Sequence, residues 1–356
     1  MKIITLRNDS FRNLSQLDIS PHEQCNILVG AHGSGKTSLL ESIYFLLNGK
    51  SFRESIGGNL IQRNQDQCTV FAVIKEYDVT RNIGIQKTCH NTSVKLNGSR
   101  IKSISEIARV FPIQPIHPES QRIINGGPSD RRKFLDWGVF HVEHTYAGLY
   151  REFRKVLKQR NSALQQKLNK QQVSAWDSNF VELAMGIHAL RKKYLTDLLF
   201  YVRKLLTELS QLQGVSVEYY PGWDEAVGLK SQLQDAWFKD IKRQHTSVGP
   251  QRADIYLRIN ETNLDKWCSR GQQKLAAAAL LLAQLLFLKA NNDKNSILLI
   301  DDLPSELDDE NRQYFLHLVA NTKSQSFITA TNRDLLQPAS YCHGFHVKHG
   351  GLEKML

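Results

Sequence analysis

The segment Gly30-Ala31-His32-Gly33-Ser34-Gly35-Lys36-Thr37 constrains this chain more than any other. It matches the phosphate loop G-x-x-x-x-G-K-[ST] in full, with an added glycine at 33. A phosphate needs many donors in a small concave space, and glycines let the backbone curl until successive N–H groups point inward. Lys36 would supply a point charge to the β- and γ-phosphates. Thr37 would offer a hydroxyl to Mg²⁺ and, with Ser38, open a helix whose positive dipole end faces the anion. The flanks agree with this reading. Ile27-Leu28-Val29 reads as a buried strand, and Leu39, Leu40, Ile43, Leu46 and Leu47 share one face of a following helix.

A second apolar run, Ile297-Leu298-Leu299-Ile300, ends in Asp301-Asp302. Such a strand would carry a carboxylate to its C-terminal end beside the loop. Asp301 would hold Mg²⁺, directly or through water, and Asp302 would polarise the attacking water. Between the two motifs, Cys268-Ser269-Arg270-Gly271-Gln272-Gln273-Lys274 precedes a long apolar stretch. Ser269 and Gly271 at a helix N-terminus can set a hydroxyl, amides and a helix dipole against phosphate, although Ser269 is equally an ordinary helix cap. Ser305-Glu306-Leu307-Asp308 follows; taken alone it is a surface turn.

Net charge is +11, which favours a polyanionic partner. Tyr146 to Ser210 reads as two long helices joined near Gln171 to Trp176, with 12 Lys and Arg against 5 Asp and Glu. Such a face is either simply solvated or a surface for nucleic acid. The candidates for phosphate contacts are Arg151, Arg154, Lys155, Lys158 and Arg160, then Arg191-Lys192-Lys193. No short motif reads bases, so binding would be sequence-independent and weakened by salt. Arg131-Arg132 could serve DNA, the nucleotide or packing. Residues 68–97 read as antiparallel strands, Ile255–Ile259 and Phe327–Ala330 as further strands, and Gly214 to Gly228 as Gly/Pro-punctuated chain.

The five scattered cysteines form no C-x-x-C pair, which points to a reducing cytoplasm rather than a disulfide framework or zinc site. The N-terminus turns polar too soon for a signal peptide. The longest apolar stretch, Leu275 to Leu288, contains Gln284 and is too short to span a bilayer. A membrane partner is therefore not expected.

Together these segments resemble the RecF-type DNA-repair ATPases of the ABC/SMC-like group. Phe11-Arg12-Asn13 resembles N-F-R-N, with Ser10 for the first Asn, and Arg12 would meet the nucleotide. Leu28 to Tyr44 resembles L-V-G-x-N-G-x-G-K-T-x-L-L-E-A-I-Y, and Gly49 to Arg53 resembles G-[RK]-[SA]-F-R. His117-Pro118-Glu119, Gly127 to Asp136 (G-x-P-x-x-R-R-x-F-L-D), Leu157 to Asn161 and Gly249 to Asp254 also fit, with Gln251 where His is usual. Residues 268–274 resemble the signature L-S-x-G-[QE], with Cys268 in place of Leu. Ser305 to Asp308 resembles the D-loop, with Pro304 in the turn before it.

The resemblance implies an α/β fold: an ABC-type, SMC-like P-loop ATPase head with mixed sheets, plus a helical lobe carrying a short antiparallel helical arm. Residues 1–118 and 246–356 would form the ATP-binding lobe and 119–245 the helical lobe, with 268–274 near the lobe junction. It also implies slow, Mg²⁺-dependent, DNA-stimulated ATP hydrolysis and an ATP-dependent homodimer. In that dimer Ser269, Gly271 and Gln272 would reach the partner's nucleotide. Duplex DNA or single-strand/double-strand junctions would be bound, and RecR and RecO would join in loading recombinase. Gln114 or Glu119 would couple the lobes. The alternatives are an ATP switch with incidental hydrolysis and a transporter ATP-binding subunit. The second is disfavoured because Thr329-Ala330-Thr331-Asn332 stands where transporters carry a histidine.

Overall fold

Two kinds of strand sort themselves by burial. Gln67–Glu76 buries every second residue, Cys68, Val70, Ala72 and Ile74, as a strand with one face on the core does. Cys25–Val29, Ile297–Ile300 and Gln325–Ala330 are buried throughout, as parallel strands covered on both faces are. In the computed structural model, which describes residues 1–53, 60–207, 212, 214–302, 306–332, 342–348 and 350–354, they build two six-stranded sheets. The antiparallel one runs Leu14–Ile19, Lys2–Phe11, Gln67–Glu76, Val79–Thr88, Thr92–Leu96, Ser99–Arg100. The other runs Gly351–Lys354, Cys342–Lys348, Cys25–Val29, Gln325–Ala330, Ile297–Ile300, Ile113–Ile116, all parallel except the first pair. The helix Lys36–Asn48 joins their cores. Leu39, Leu40, Ile43 and Leu46 cluster with Ile3, Leu6, Val70 and Ile83 of one sheet and Ile297, Leu299 and Phe327 of the other.

The strands expected from sequence are present. Others were not expected. Ile113–Ile116 contains Pro115, Ser216–Tyr220 lies in the Gly/Pro-punctuated stretch, and Cys342–Lys348 with Gly351–Lys354 mixes polar residues into its pattern.

The chain divides into two units, Met1–Ser120 with Leu288–Leu356, and Gln121–Phe287. The first boundary lies at Ser120 rather than 118, and the return at Leu288 rather than 246. Residues 246–287 belong with the helices for two reasons. Asp254–Ile259 pairs with Ser216–Tyr220, and Gln284 Nε2 donates to Phe134 O (2.8 Å) and Tyr194 Oη (3.1 Å). The apolar stretch expected to be too short for a bilayer sits in the 23-residue helix Arg270–Asn292. That helix is long and apolar enough to cross a membrane, yet 72% of its apolar part is buried inside the protein.

The helical unit contains Pro128–Val142, Tyr146–Gln165, Lys170–Ser174 and Asp177–Thr207, so the expected pair of arm helices is joined through a short third. Gly138 marks its tightest approach: a Cβ there would lie 1.9 Å from Tyr194 Oη. Tyr194 is buried and cannot swing away. Gly138→Ala should therefore destabilise the chain by about 3 kcal/mol through overpacking, read as a lower urea midpoint at unchanged slope.

Candidate active site

The strand Cys25–Val29 ends at Gly30, where a Cβ would sit 2.3 Å from Val347 O and 2.8 Å from Ser34 Oγ. Only glycine fits, so the loop turns tightly against the strand Cys342–Lys348. Gly350 N–H donates to Ser34 O (2.9 Å) and holds the loop from the same side. Among the described residues no side chain caps the helix Lys36–Asn48, so its first-turn amides remain available to an anion. Lys36 Nζ donates to Gly30 O (2.7 Å) and Ala31 O (3.0 Å), folded over the mouth of the loop. Burial pulls the Lys36 ammonium below its ordinary pKa, and Asp302 and Asp301 pull it back.

Parallel strands deliver their C-terminal ends to one edge. Gln325–Ala330 lies between the phosphate-loop strand and Ile297–Ile300, so three functional groups meet there. Thr37 Oγ1 donates to Asp301 Oδ1 (2.8 Å). Thr329 Oγ1 donates to the same oxygen (3.0 Å) and accepts the Asp302 N–H (2.8 Å). Burial raises the Asp301 pKa, and the Thr37 and Thr329 hydroxyls pull it down. Asp302 sits at φ +54°, a left-handed conformation that aspartate tolerates. Sequence reasoning noted Thr329 only as the place of a missing histidine. It is fully buried and clamps both aspartates.

The hairpin between Lys2–Phe11 and Leu14–Ile19 has Arg12 and Asn13 at its tip, with Phe11 opposite Leu14. Asn13 Nδ2 donates to Gly33 O (3.1 Å), docking the tip on the loop. Arg12 donates from Nε (2.9 Å) and its terminal nitrogen (2.6 Å) to the carboxylate of Glu41, which is buried one turn along the helix. Ser51 Oγ donates to that carboxylate too (2.5 Å). Glu41 is a positioning residue that sequence reasoning missed, although it lies in the L-L-E run.

These groups line a cleft of about 800 Å³ with Arg12, His32, Gly33, Lys36, Thr37 and Ser38 on one side and Asp301, Asp302 and Thr329 on the other. Arg53 and Arg63 also line it and were not expected from sequence. Neither Gln114, buried in its strand, nor Glu119 does. The residues present fit a magnesium–nucleotide: Thr37 and Asp301 are hard oxygen donors side by side. Ser34 Oγ and Asp302 Oδ1 are buried without a hydrogen-bond partner among the described residues. The D-loop-like Pro304 and Ser305 lie outside the described residues.

The signature stretch belongs to the helical unit. Ser269 Oγ accepts the Gln272 N–H (3.3 Å) and Gln272 Oε1 accepts the Ser269 N–H (2.8 Å), a reciprocal cap of the helix Arg270–Asn292. Ser269 is exposed, and a Cβ on Gly271 would meet nothing within 4 Å. Gln273 stays buried and braces the turn through the Asp265 (2.9 Å) and Cys268 (3.1 Å) carbonyls.

Of the expected DNA-facing residues, Arg151, Arg154, Lys155 and Lys158 are exposed. Their i, i+3, i+4, i+7 spacing puts them on one stripe of the helix Tyr146–Gln165. Arg160 is a correction: it is 1% exposed, donating to Asp177 (2.9 Å), Asp240 (2.9 Å) and Thr246 Oγ1 (2.8 Å). Arg191 is buried as well, on Asp136 Oδ1 (2.9 Å) and Pro250 O (2.9 Å). Lys192 and Lys193 pair with Glu225 and Glu143. Arg131 bonds both Asp254 oxygens (2.7 and 3.0 Å), and Arg132 bonds Ala253 O (2.8 Å). Four arginines, three of them from the family-like blocks, thus converge on residues 246–254.

The model for the RecF/RecN/SMC N-terminal domain matches residues 2–354. A "DNA replication and repair protein RecF" from Shewanella loihica is 36% identical over 359 positions, covering 98% of each chain. Among solved structures, the recombination mediator protein RecF with ATP, in the RecFOR pathway, superposes with a TM-score of 0.88 at 28% identity, covering 100% of this chain and 98% of that one. An Smc head bound to the C-terminal winged-helix domain of ScpA superposes at 0.60 and 17% identity, a likeness of fold alone. The match runs almost end to end, over motifs whose residues meet in one cleft, and the chain belongs to the RecF family of DNA replication and repair proteins.

Proposed function

We propose that this chain binds ATP with Mg²⁺ in the cleft, dimerises on it, hydrolyses it slowly, and binds DNA in cytoplasmic recombinational repair with RecR and RecO. The observation that carries the ATP reading is the contact of Thr37 and Asp301 beneath the phosphate loop. Lys36 and the loop amides would neutralise the β- and γ-phosphates, and Thr37 and Asp301 would hold Mg²⁺. When bound, that ion supplies charge for the phosphate oxygens. Asp302, poised by Thr329, would orient the attacking water. Catalysis of this kind is positioning and charge stabilisation. The exposed Ser269, and the open space beside Gly271, support a site completed by a second copy. The stripe of four basic residues supports sequence-independent DNA contact.

Asp302→Asn tests the reaction. It preserves size and the backbone bond to Thr329 but removes the charge that polarises water. Turnover should fall roughly 100-fold or more while ATP affinity stays within about threefold. Unchanged turnover would remove Asp302 from the chemistry. If the variant still supports repair in cells, the switch reading takes over.

A further inference from the structure

The outer face of the antiparallel sheet lies opposite its buried face and carries a patterned surface. Strand register sets Asp18, Arg7, Phe71, Gly84, Lys95 and Arg100 in one row across the six strands. Val70 and Ala72 point into the core, so Phe71 between them points out. The Phe71 ring leans over Gly84, where an added Cβ would lie 3.7 Å from Phe71 Cδ2. A glycine inside a strand weakens it and often marks a place where something approaches closely. Here it leaves the ring, which is half-buried, with no side chain of the facing residue over it.

Lys95 and Arg100, two and three strands over, are exposed and have no acidic partner among the described residues. Arg7, on the other side, is paired with Asp18 at the sheet edge (2.8 Å). The adjacent rows contribute Thr69, Gln86 and Ser93 on one side and Val73 and Asn82 on the other, with Asp9 their one acid. A partly exposed aromatic ring in mid-sheet, in one row with unpaired cations, suits an unstacked base on the ring and phosphates on the cations. A duplex keeps its bases stacked inside and has nothing to offer the ring.

We propose that this face binds the single-stranded part of a DNA substrate, with one base on Phe71 and the backbone along Lys95 and Arg100. The proposal rests on the DNA-binding reading above. It adds the element that separates gapped from fully duplex DNA.

Fluorescence anisotropy of the full chain with ATP tests it, using oligo-dT, a gapped duplex and a blunt duplex. Gly84→Thr covers the ring with a residue that suits a strand, and Phe71→Ala removes it. Each should weaken oligo-dT binding roughly 5- to 150-fold and leave blunt duplex within about twofold. Lys95→Gln with Arg100→Gln should lower the salt slope for oligo-dT by about 1.4, about 0.7 for each phosphate no longer neutralised. Melting temperature and DNA-free ATP turnover of Gly84→Thr should match the parent. Unchanged oligo-dT binding in Gly84→Thr and in the double variant overturns the proposal, and so does an equal loss on blunt duplex. A parent chain that binds none of the three probes overturns the DNA-binding reading itself.

Discussion

Lys36→Ala is expected to weaken ATP binding roughly 100-fold and take hydrolysis to background, in a chain that stays folded. Among the described residues, the hydrogen bonds of Lys36 Nζ run to the Gly30 and Ala31 carbonyls of its own loop, which water can satisfy once the side chain is gone. Its energetic value lies in the charge it brings to phosphate, where hydrogen bonds to charged groups contribute about 1.5–3 kcal/mol each. Calorimetric titration with ATP and Mg²⁺ gives the affinity, and a urea melt gives the stability. Unimpaired ATP binding would mean that phosphate is held elsewhere.

Arg160→Met should cost about 3–5 kcal/mol of stability, because it strands a buried acid. Asp240 is fully buried, and Arg160 is its only cation among the described residues. The substitution also removes the bonds that Arg160 donates to Thr246 Oγ1 and Asp177. At about 2–4 °C per kcal/mol the melting temperature should fall by roughly 10 °C. Lys158→Ala, two residues away and exposed, should shift stability by less than about 0.5 kcal/mol. It should instead lower the magnitude of the DNA salt slope by about 0.9 on duplex. The pair separates residues that build the lobe from residues that meet DNA; equal effects on both readouts would collapse that distinction.

What could be read from sequence was local. The phosphate loop is a contiguous run whose glycines, lysine and threonine act within one turn, and the Asp301-Asp302 strand announces itself by four apolar residues. What could not be read depends on partners far along the chain. Arg160 looks like the other basic residues of its helix, and only Asp240 and Thr246, 80 and 86 positions on, decide that it is buried. Thr329 becomes a clamp because its strand lies between the two motif strands, an order that pairing alone reveals. Glu41 needed the hairpin tip bearing Arg12 to fold back onto the loop. The second boundary moved because Ser216–Tyr220, whose residues alternate between exposed and half-buried with none fully buried, draws Asp254–Ile259 to the helical unit.

In the proposed mechanism ATP in the cleft is shared between two copies, each lending Ser269 and Gly271 to the other. Sedimentation velocity of the Asp302→Asn chain with Mg²⁺ and saturating ATP is the decisive measurement, since bound nucleotide is not consumed during the run. A monomer is expected without nucleotide and a dimer with ATP, reverting when Ser269→Arg blocks the signature. A chain that binds ATP yet stays monomeric over a broad range of concentration would refute the shared site.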